Sequence, residues 1–303
     1  LSLPWPRLTP EVRRLLRIML PGVFGAGVTQ INLVVSTAMA SLLPSGAVSY
    51  LNYADRLNQL PLAVLGIAVG TAILPPLSRQ VRQGDDAGAI ATQNRGLELA
   101  LLLTVPAALG LAVAAQPILA VLFQHGKFTA ADTAATWPAL AAYAGGLPAF
   151  VLIKVMAPGF FARQDTKTPV RIAAATMVVN VALTVALGLT LAQLGIAIAL
   201  STAGWVNALL LIAVLRRRGH FALDRRARRA LPRILLAALG MGGVLLLLQR
   251  WALADAFAAG FVAKLVALVA DIGAGVLGFA VLALALGLAD WRMIKARLAR
   301  PAA

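Results

Sequence analysis

No cysteine occurs in the 303 residues, which excludes disulfides, thiolate metal sites and a cysteine nucleophile. Histidine is almost as scarce. His125 and His220 both fall in expected loops and leave little for a histidine-based metal or catalytic centre. Acidic side chains number 11 against 27 lysines and arginines, and charge of either sign makes up 13% of the chain. No paired-carboxylate site, Ser/His/Asp constellation or phosphate-cradling Gly-Lys-Ser/Thr loop can be assembled. The sequence therefore offers no catalytic, cofactor-binding or metal-ligating set, and the expected class is not an enzyme.

What fills the chain is apolar. Hydrophobic residues make up 60% and the mean hydropathy is +0.86, which is outside the range of soluble globular domains. Eight runs are long enough, at about 18 residues or more, to cross roughly 30 Å of hydrocarbon. They cover about Leu15–Leu43, Ala47–Leu77, Leu97–Ala115, Ala134–Phe161, Pro169–Leu191, Gly195–Leu215, Leu231–Leu248 and Phe261–Leu288. The predicted fold is an all-α, polytopic membrane bundle of about eight transmembrane helices. Residues 1–215 hold six spans. Residues 216–303 hold a basic loop, two further spans and an amphipathic tail, Asp290–Arg300, suited to an interface. Pro44-Ser45-Gly46 is too short for anything but a tight turn, so the first two spans are expected to be antiparallel neighbours. The segment Leu1–Arg17 lacks the pattern of a signal peptide. The first residue is not Met, so an upstream portion is expected.

The net charge of +16 invites a nucleic-acid reading, but its distribution opposes it. Of the 27 basic residues, 22 fall on one side of the expected bundle, 3 (Lys127, Arg250, Lys264) on the other, and Arg56 and Lys154 within spans. By the positive-inside rule this places both ends of the chain and the dense run Arg216–Arg233 in the cytoplasm, facing anionic headgroups.

Away from the ends of the expected spans, the clear intramembrane charges are Asp55, Arg56, Lys154 and Asp271. A charge at membrane depth costs between a few and more than ten kcal/mol and usually turns toward the bundle interior, water or a partner. Asp55-Arg56 reads as an adjacent ion pair near the start of YADRLNQLPLAVLGIAVGTAILPPL (Tyr53–Leu77), above Pro61, which is expected to kink the helix, and a Gly66/Gly70 face suited to a neighbouring helix. Lys154 follows Gly145-Gly146 and Pro148, where a loosened backbone is expected to line a cavity, with snorkelling to headgroups as the alternative. Asp271 is expected to have a structural or lipid-facing role. Polar residues of the first, fifth and sixth spans, among them Asn32, Ser36, Thr37, Thr176, Asn180, Thr184, Ser201 and Asn207, are expected to bond helix to helix.

The stretch YADRLNQLPLAVLGIAVGTAILPPLSR, the turn QHGKFT and the segment KVMAPGFFARQDTKTPV together resemble the MurJ/MviN lipid II flippases of the multidrug/oligosaccharidyl-lipid/polysaccharide exporter superfamily. The resemblance implies a two-lobe transporter of which this chain corresponds to the second six-helix lobe plus the C-terminal helix pair. It implies movement of the undecaprenyl-pyrophosphate-linked peptidoglycan precursor, lipid II, across the bacterial cytoplasmic (inner) membrane by alternating access. The Arg of the YADRL motif, here Arg56, becomes a substrate-binding residue whose planar fork suits phosphate oxygens. Asp55 and Ser49 fall at matching positions, and Lys154 joins them on the reading of the residues. Implied partners are lipid II, membrane lipids, the first lobe of the same transporter and cell-wall synthesis proteins. Some members hold sodium with carboxylates, whereas the positions here are neutral (Asn32, Asn180, Thr184), so no metal is expected. Two alternatives stay open: a superfamily exporter of another lipid-linked oligosaccharide or a drug, and a non-transporting scaffold for wall synthesis.

Overall fold

A computed structural model of the chain describes residue 27, residues 30–258 and residues 260–288, with the side chains at 67–71, 257 and 258 outside that description. The expected interfacial tail, the basic N-terminal segment and the start of the first span lie outside the described residues.

Each apolar run becomes a helix because lipid leaves backbone groups no partner outside their own segment. In chain order these are α1 (described over 30–41), α2 (Ala47–Arg82), α3 (Asp86–Val113), α4 (Ala115–Leu122) and α5 (Ala130–Phe161). They are followed by α6 (Lys167–Arg217), α7 (Arg225–Trp251), the short α8 (Ala254–Ala258) and α9 (Phe261–Ala285). By length and apolarity α3, α5, α6, α7 and α9 qualify as membrane-crossing, so the chain is a multi-pass membrane protein.

Helix α6 contains two spans. At 51 residues it would measure about 76 Å if straight, more than twice the hydrocarbon thickness. Its backbone breaks at Ala192, with φ 51° and ψ −134°, and the halves fold back so closely that a Cβ on Gly195 would lie 2.0 Å from the Leu187 carbonyl oxygen. The expected three-residue turn between the fifth and sixth spans is this hairpin.

Helix α5 is the hub, packed against α2, α3, α4 and α6. One core cluster gathers Leu77, Leu97, Val155, Met156, Phe160 and Leu215 near one end of the bundle. A second gathers Leu51, Leu57, Leu119, Leu140, Tyr143 and Ile196 near the other. Lipid tails are as apolar as the helices, so association depends on close fit. Gly146 and Gly204 provide it, since an added Cβ would lie 2.6 Å from the Ser201 hydroxyl and 2.7 Å from the Phe150 ring, respectively.

Several expectations change here. Helix α2 continues through Pro61, Pro75 and Pro76, and α5 through Pro138, Pro148 and Pro158. The backbone around Gly145-Gly146 is thus not loosened: Gly146 is buried against α6, and the Gly145 carbonyl accepts from Trp205 Nε1 at 2.9 Å. Of the structural and lipid-facing roles expected for Asp271, the geometry fits the structural one: it is fully buried and accepts from Gln249 Nε2 at 2.8 Å across the α7–α9 contact. Helix α3 starts well before the expected third span and is capped by Asp85, whose carboxylate accepts from the Gly88 amide at 2.8 Å.

The two ends of the bundle differ in charge. Arg79, Arg82, Arg163, Arg218 and Arg226 gather at one, called here the basic end. Lys127, Arg250 and Lys264 lie at the other, the sparse end.

Candidate functional site

Helix α2 starts at the sparse end, with Gly46 at φ 101° as its cap after the tight turn from α1. From there its sequence places polar residues at 49, 52, 56 and 59, the three-and-four spacing that makes one helical stripe. Ser49, Asn52, Arg56 and Gln59 are all exposed. Asp55 sits beside this stripe, half-buried, and its carboxylate accepts from the Gln59 amide one turn on.

Adjacent helix positions lie about 100° apart, so Asp55 and Arg56 leave the helix on different sides. The ion pair suggested by their adjacency is not among the three found in the described residues. Asp55 instead lines a cavity of about 370 Å³ between α1, α2, α5 and α6. Its polar lining is Asn32, Ser36 and Thr37 from α1, and Asn52 and Asp55 from α2. Tyr143, Phe150 and Leu200 form part of the apolar wall. Asn32, Ser36 and Thr37 of the first span thus face a cavity, and Asn32 also bonds α6 through Asn180. The expected helix-to-helix bonds do occur in α6: Ser201 donates to the Ala142 carbonyl at 2.7 Å and Asn207 to Thr176 at 3.2 Å.

Lys154 stands apart from this group. Its side chain lies across Gly66, where an added Cβ would come within 2.6 Å of Nζ. Gly66 therefore accommodates a lysine rather than a helix backbone, and Gly70 lies outside the described side chains. Gly66 shares the Asp55 face of α2 but lies about 16 Å further along the axis. Of the four residues assigned from sequence, Arg56 and Ser49 share the stripe, Asp55 borders it and Lys154 does not join them. Asn52, Gln59, Ser36, Thr37 and Tyr143 were not assigned. The helical spacing of Ser49, Asn52, Arg56 and Gln59 was the signal that could have found two of them.

Asn32, Asn180 and Thr184 do come together: Asn180 Nδ2 donates to Asn32 Oδ1 at 3.1 Å, leaving Asn180 Oδ1 and Thr184 Oγ1 buried with no protein partner. These oxygens are neutral, and one already accepts an amide hydrogen. Neutral oxygens alone usually hold a hard cation such as sodium weakly.

The motif segments act as fasteners at the two ends. At the sparse end Tyr50 donates to Asp132 at 2.7 Å, and Asp132 closes a capping box with Thr129 at the start of α5. Tyr53, Phe123 and Phe128, the last from the QHGKFT turn, stack with centroids 4.7–6.3 Å apart. At the basic end, in ARQDTKTP, Asp165 accepts from the Thr168 amide and hydroxyl and from Arg218 at 2.6 Å. Partial burial pushes the Asp165 carboxyl up, but the bonds from Thr168 and Arg218 outweigh it and hold its pKa at about 2. His220, beside this cluster, is lowered by burial and then by the positive charge of Arg163.

The family model described as lipid II flippase MurJ matches residues 1–268. The chain belongs to the MurJ family. It is 49% identical over 246 residues to the probable lipid II flippase MurJ of Rhizobium meliloti, a match covering 81% of this chain and 46% of that protein. Among solved structures, a lipid II flippase MurJ in an inward closed conformation superposes with a TM-score of 0.74 at 27% identity, covering 92% of this chain and 56% of that one. An outward-facing MATE transporter of the MOP superfamily shares the fold at a TM-score of 0.60 and 14% identity, over 89% of this chain and 64% of its own. The chain spans about half the length of the curated MurJ relatives it matches.

Proposed function

We propose that this chain serves as one half of a lipid II flippase in the bacterial cytoplasmic membrane, with Arg56 engaging the pyrophosphate of the substrate. The observation that carries this reading is the exposed stripe Ser49-Asn52-Arg56-Gln59 on a helix of an apolar bundle. A guanidinium facing lipid tails is costly, so this face belongs against water or a partner. The remaining part of the same transporter is that partner, and the stripe then borders the translocation path. Arg56 presents a permanently charged planar fork to pyrophosphate oxygens, and Asp55, turned into its own cavity, leaves that charge uncompensated. Transport proceeds by alternating access, with no covalent step asked of the protein. Movement of net charge through the path would be driven by the membrane potential at about 2.3 kcal/mol per unit charge per 100 mV. The basic end is cytoplasmic and the sparse end periplasmic, as the 22:3 distribution favours.

Complementation of a flippase-depleted strain by the full-length protein tests the reading. Arg56→Ala should abolish growth at normal membrane abundance, because a charge-assisted bond is worth roughly 1.5–3 kcal/mol. Arg56→Lys should retain part of the activity, keeping charge but not the fork. Full growth with Arg56→Ala at parental abundance would remove Arg56 from the path.

A further inference from the structure

A second cavity, of about 700 Å³, opens at the sparse end between the segment joining α3 to α5 and the pair α7 and α9. Its wall is apolar on one side, with Val113, Val121 and Leu246. Three glutamines, Gln116, Gln124 and Gln249, and one charged residue, Lys264, converge on it from four elements. Gln249 is fixed in place because its amide nitrogen is committed to the buried Asp271. Lys264 stands in the first turn of α9 and takes part in none of the ion pairs among the described residues. Trp137 lines the cavity too, and tryptophans are enriched at the border between headgroups and tails. One cation, several neutral amides and an apolar wall at the interface match an amphiphile whose head carries a single negative charge.

We propose that this cavity binds the phosphodiester head of an anionic glycerophospholipid, with Lys264 pairing the phosphate, the Gln116 and Gln124 amide nitrogens donating to its oxygens and the apolar wall taking the first part of the tails. A single lysine balances a phosphodiester, whereas a pyrophosphate would leave charge unmatched in a partly dry site. The lipid would fasten the α7–α9 pair to the rest of the bundle, whichever substrate the α2 stripe handles.

Native mass spectrometry of the delipidated full-length protein, titrated in detergent with phosphatidylglycerol, tests this. One retained lipid is expected in the parent protein. Lys264→Gln should weaken retention about tenfold or more, the loss of a charge-assisted bond, while Lys264→Arg should keep most of it. Gln116→Leu should weaken it by a smaller factor, and Lys127→Gln, an exposed lysine of the same end, should leave it unchanged. Arg56→Ala should retain the lipid like the parent, which separates this site from the proposed transport path. Equal retention by Lys264→Gln and parent would overturn the proposal, as would equal retention of phosphatidylcholine and phosphatidylglycerol. Preference for undecaprenyl pyrophosphate over phosphatidylglycerol would overturn the phosphodiester assignment.

Discussion

The two ends of this bundle are fastened by different chemistry. At the basic end, three ion pairs tie helix ends together: Asp86 with Arg163 at 3.3 Å, Asp165 with Arg218 at 2.6 Å and Glu98 with Arg226 at 3.1 Å. Asn94 adds a bond to the Ala222 carbonyl at 2.8 Å, and Arg218 lies 5.8 Å from the Phe160 ring centre. At the sparse end no ion pair is found among the described residues. One carboxylate, Asp132, both caps α5 and accepts from Tyr50 of α2, and an aromatic cluster fills the space beside it. Exposed ion pairs contribute between nothing and about 1 kcal/mol, so the basic end has many weak fasteners while the sparse end has few and shared ones. The lesson is that loss of a single residue should register more at the sparse end, although the basic end carries more of the charge.

The largest effect should come from the α6 hairpin at the sparse end. Gly195→Ala puts a methyl group against the Leu187 carbonyl, and the backbone must shift, for about 1–3 kcal/mol. Thermal unfolding in detergent should show the fall. A variant as stable as the parent would mean the hairpin is open enough to take a side chain. Next in size is the pair Tyr50 and Asp132. Tyr50→Phe removes only the cross-helix bond and should cost about 1 kcal/mol. Asp132→Ala removes that bond and the capping box together and should lower the unfolding temperature further. If the two variants melt alike, the cap contributes nothing and the shared-fastener account of this end is wrong.

The basic end should respond least. Asp165→Asn weakens the bonds from Thr168 and Arg218, and for a carboxylate this close to water the loss should be no more than about 1 kcal/mol. It also carries a pH signature. The folded pKa of Asp165 lies below its ordinary value of 3.8, so its contribution is present above that value and is lost as the pH falls toward 2. The gap between Asp165→Asn and parent, measured by unfolding at matched pH, should therefore shrink between pH 5 and pH 3. His220 is depressed, so its neutral form contributes above its ordinary 6.5 and protonation erodes that contribution as the pH falls below it. Matching the pH of the two samples keeps this earlier change common to both. A gap that is constant with pH would mean Asp165 acts through packing alone.

Much of the architecture was legible because a bilayer imposes a length on every apolar run. The two spans inside α6 could be separated from the sequence alone, since the apolar stretch over about 169–215 exceeds what one crossing needs. Less of the site was legible. Asp55 and Arg56 read as a pair because they are neighbours in the chain, yet neighbours on a helix point apart. Lys154 read as a cavity residue because glycines and a proline precede it, yet Gly146 was there for the Ser201 contact and Gly66 for Lys154 itself. For Asp271 the sequence left a structural and a lipid-facing role open, because its partner, Gln249, lies on another helix, α7.

The sequence by itself determined the membrane class, the order and antiparallel run of the helices, the charge difference between the ends and the family motifs. These follow from quantities local to the chain, namely apolar length, turn residues and the side on which lysine and arginine accumulate. Only the tertiary structure decided which polar residues share a face or a cavity. It set Asp55 against α1, left Arg56 exposed, buried Asp271 between α7 and α9 and gathered three glutamines around Lys264. A helix rotated about its own axis keeps the same hydropathy but exposes a different stripe, and only its packed neighbours fix that rotation.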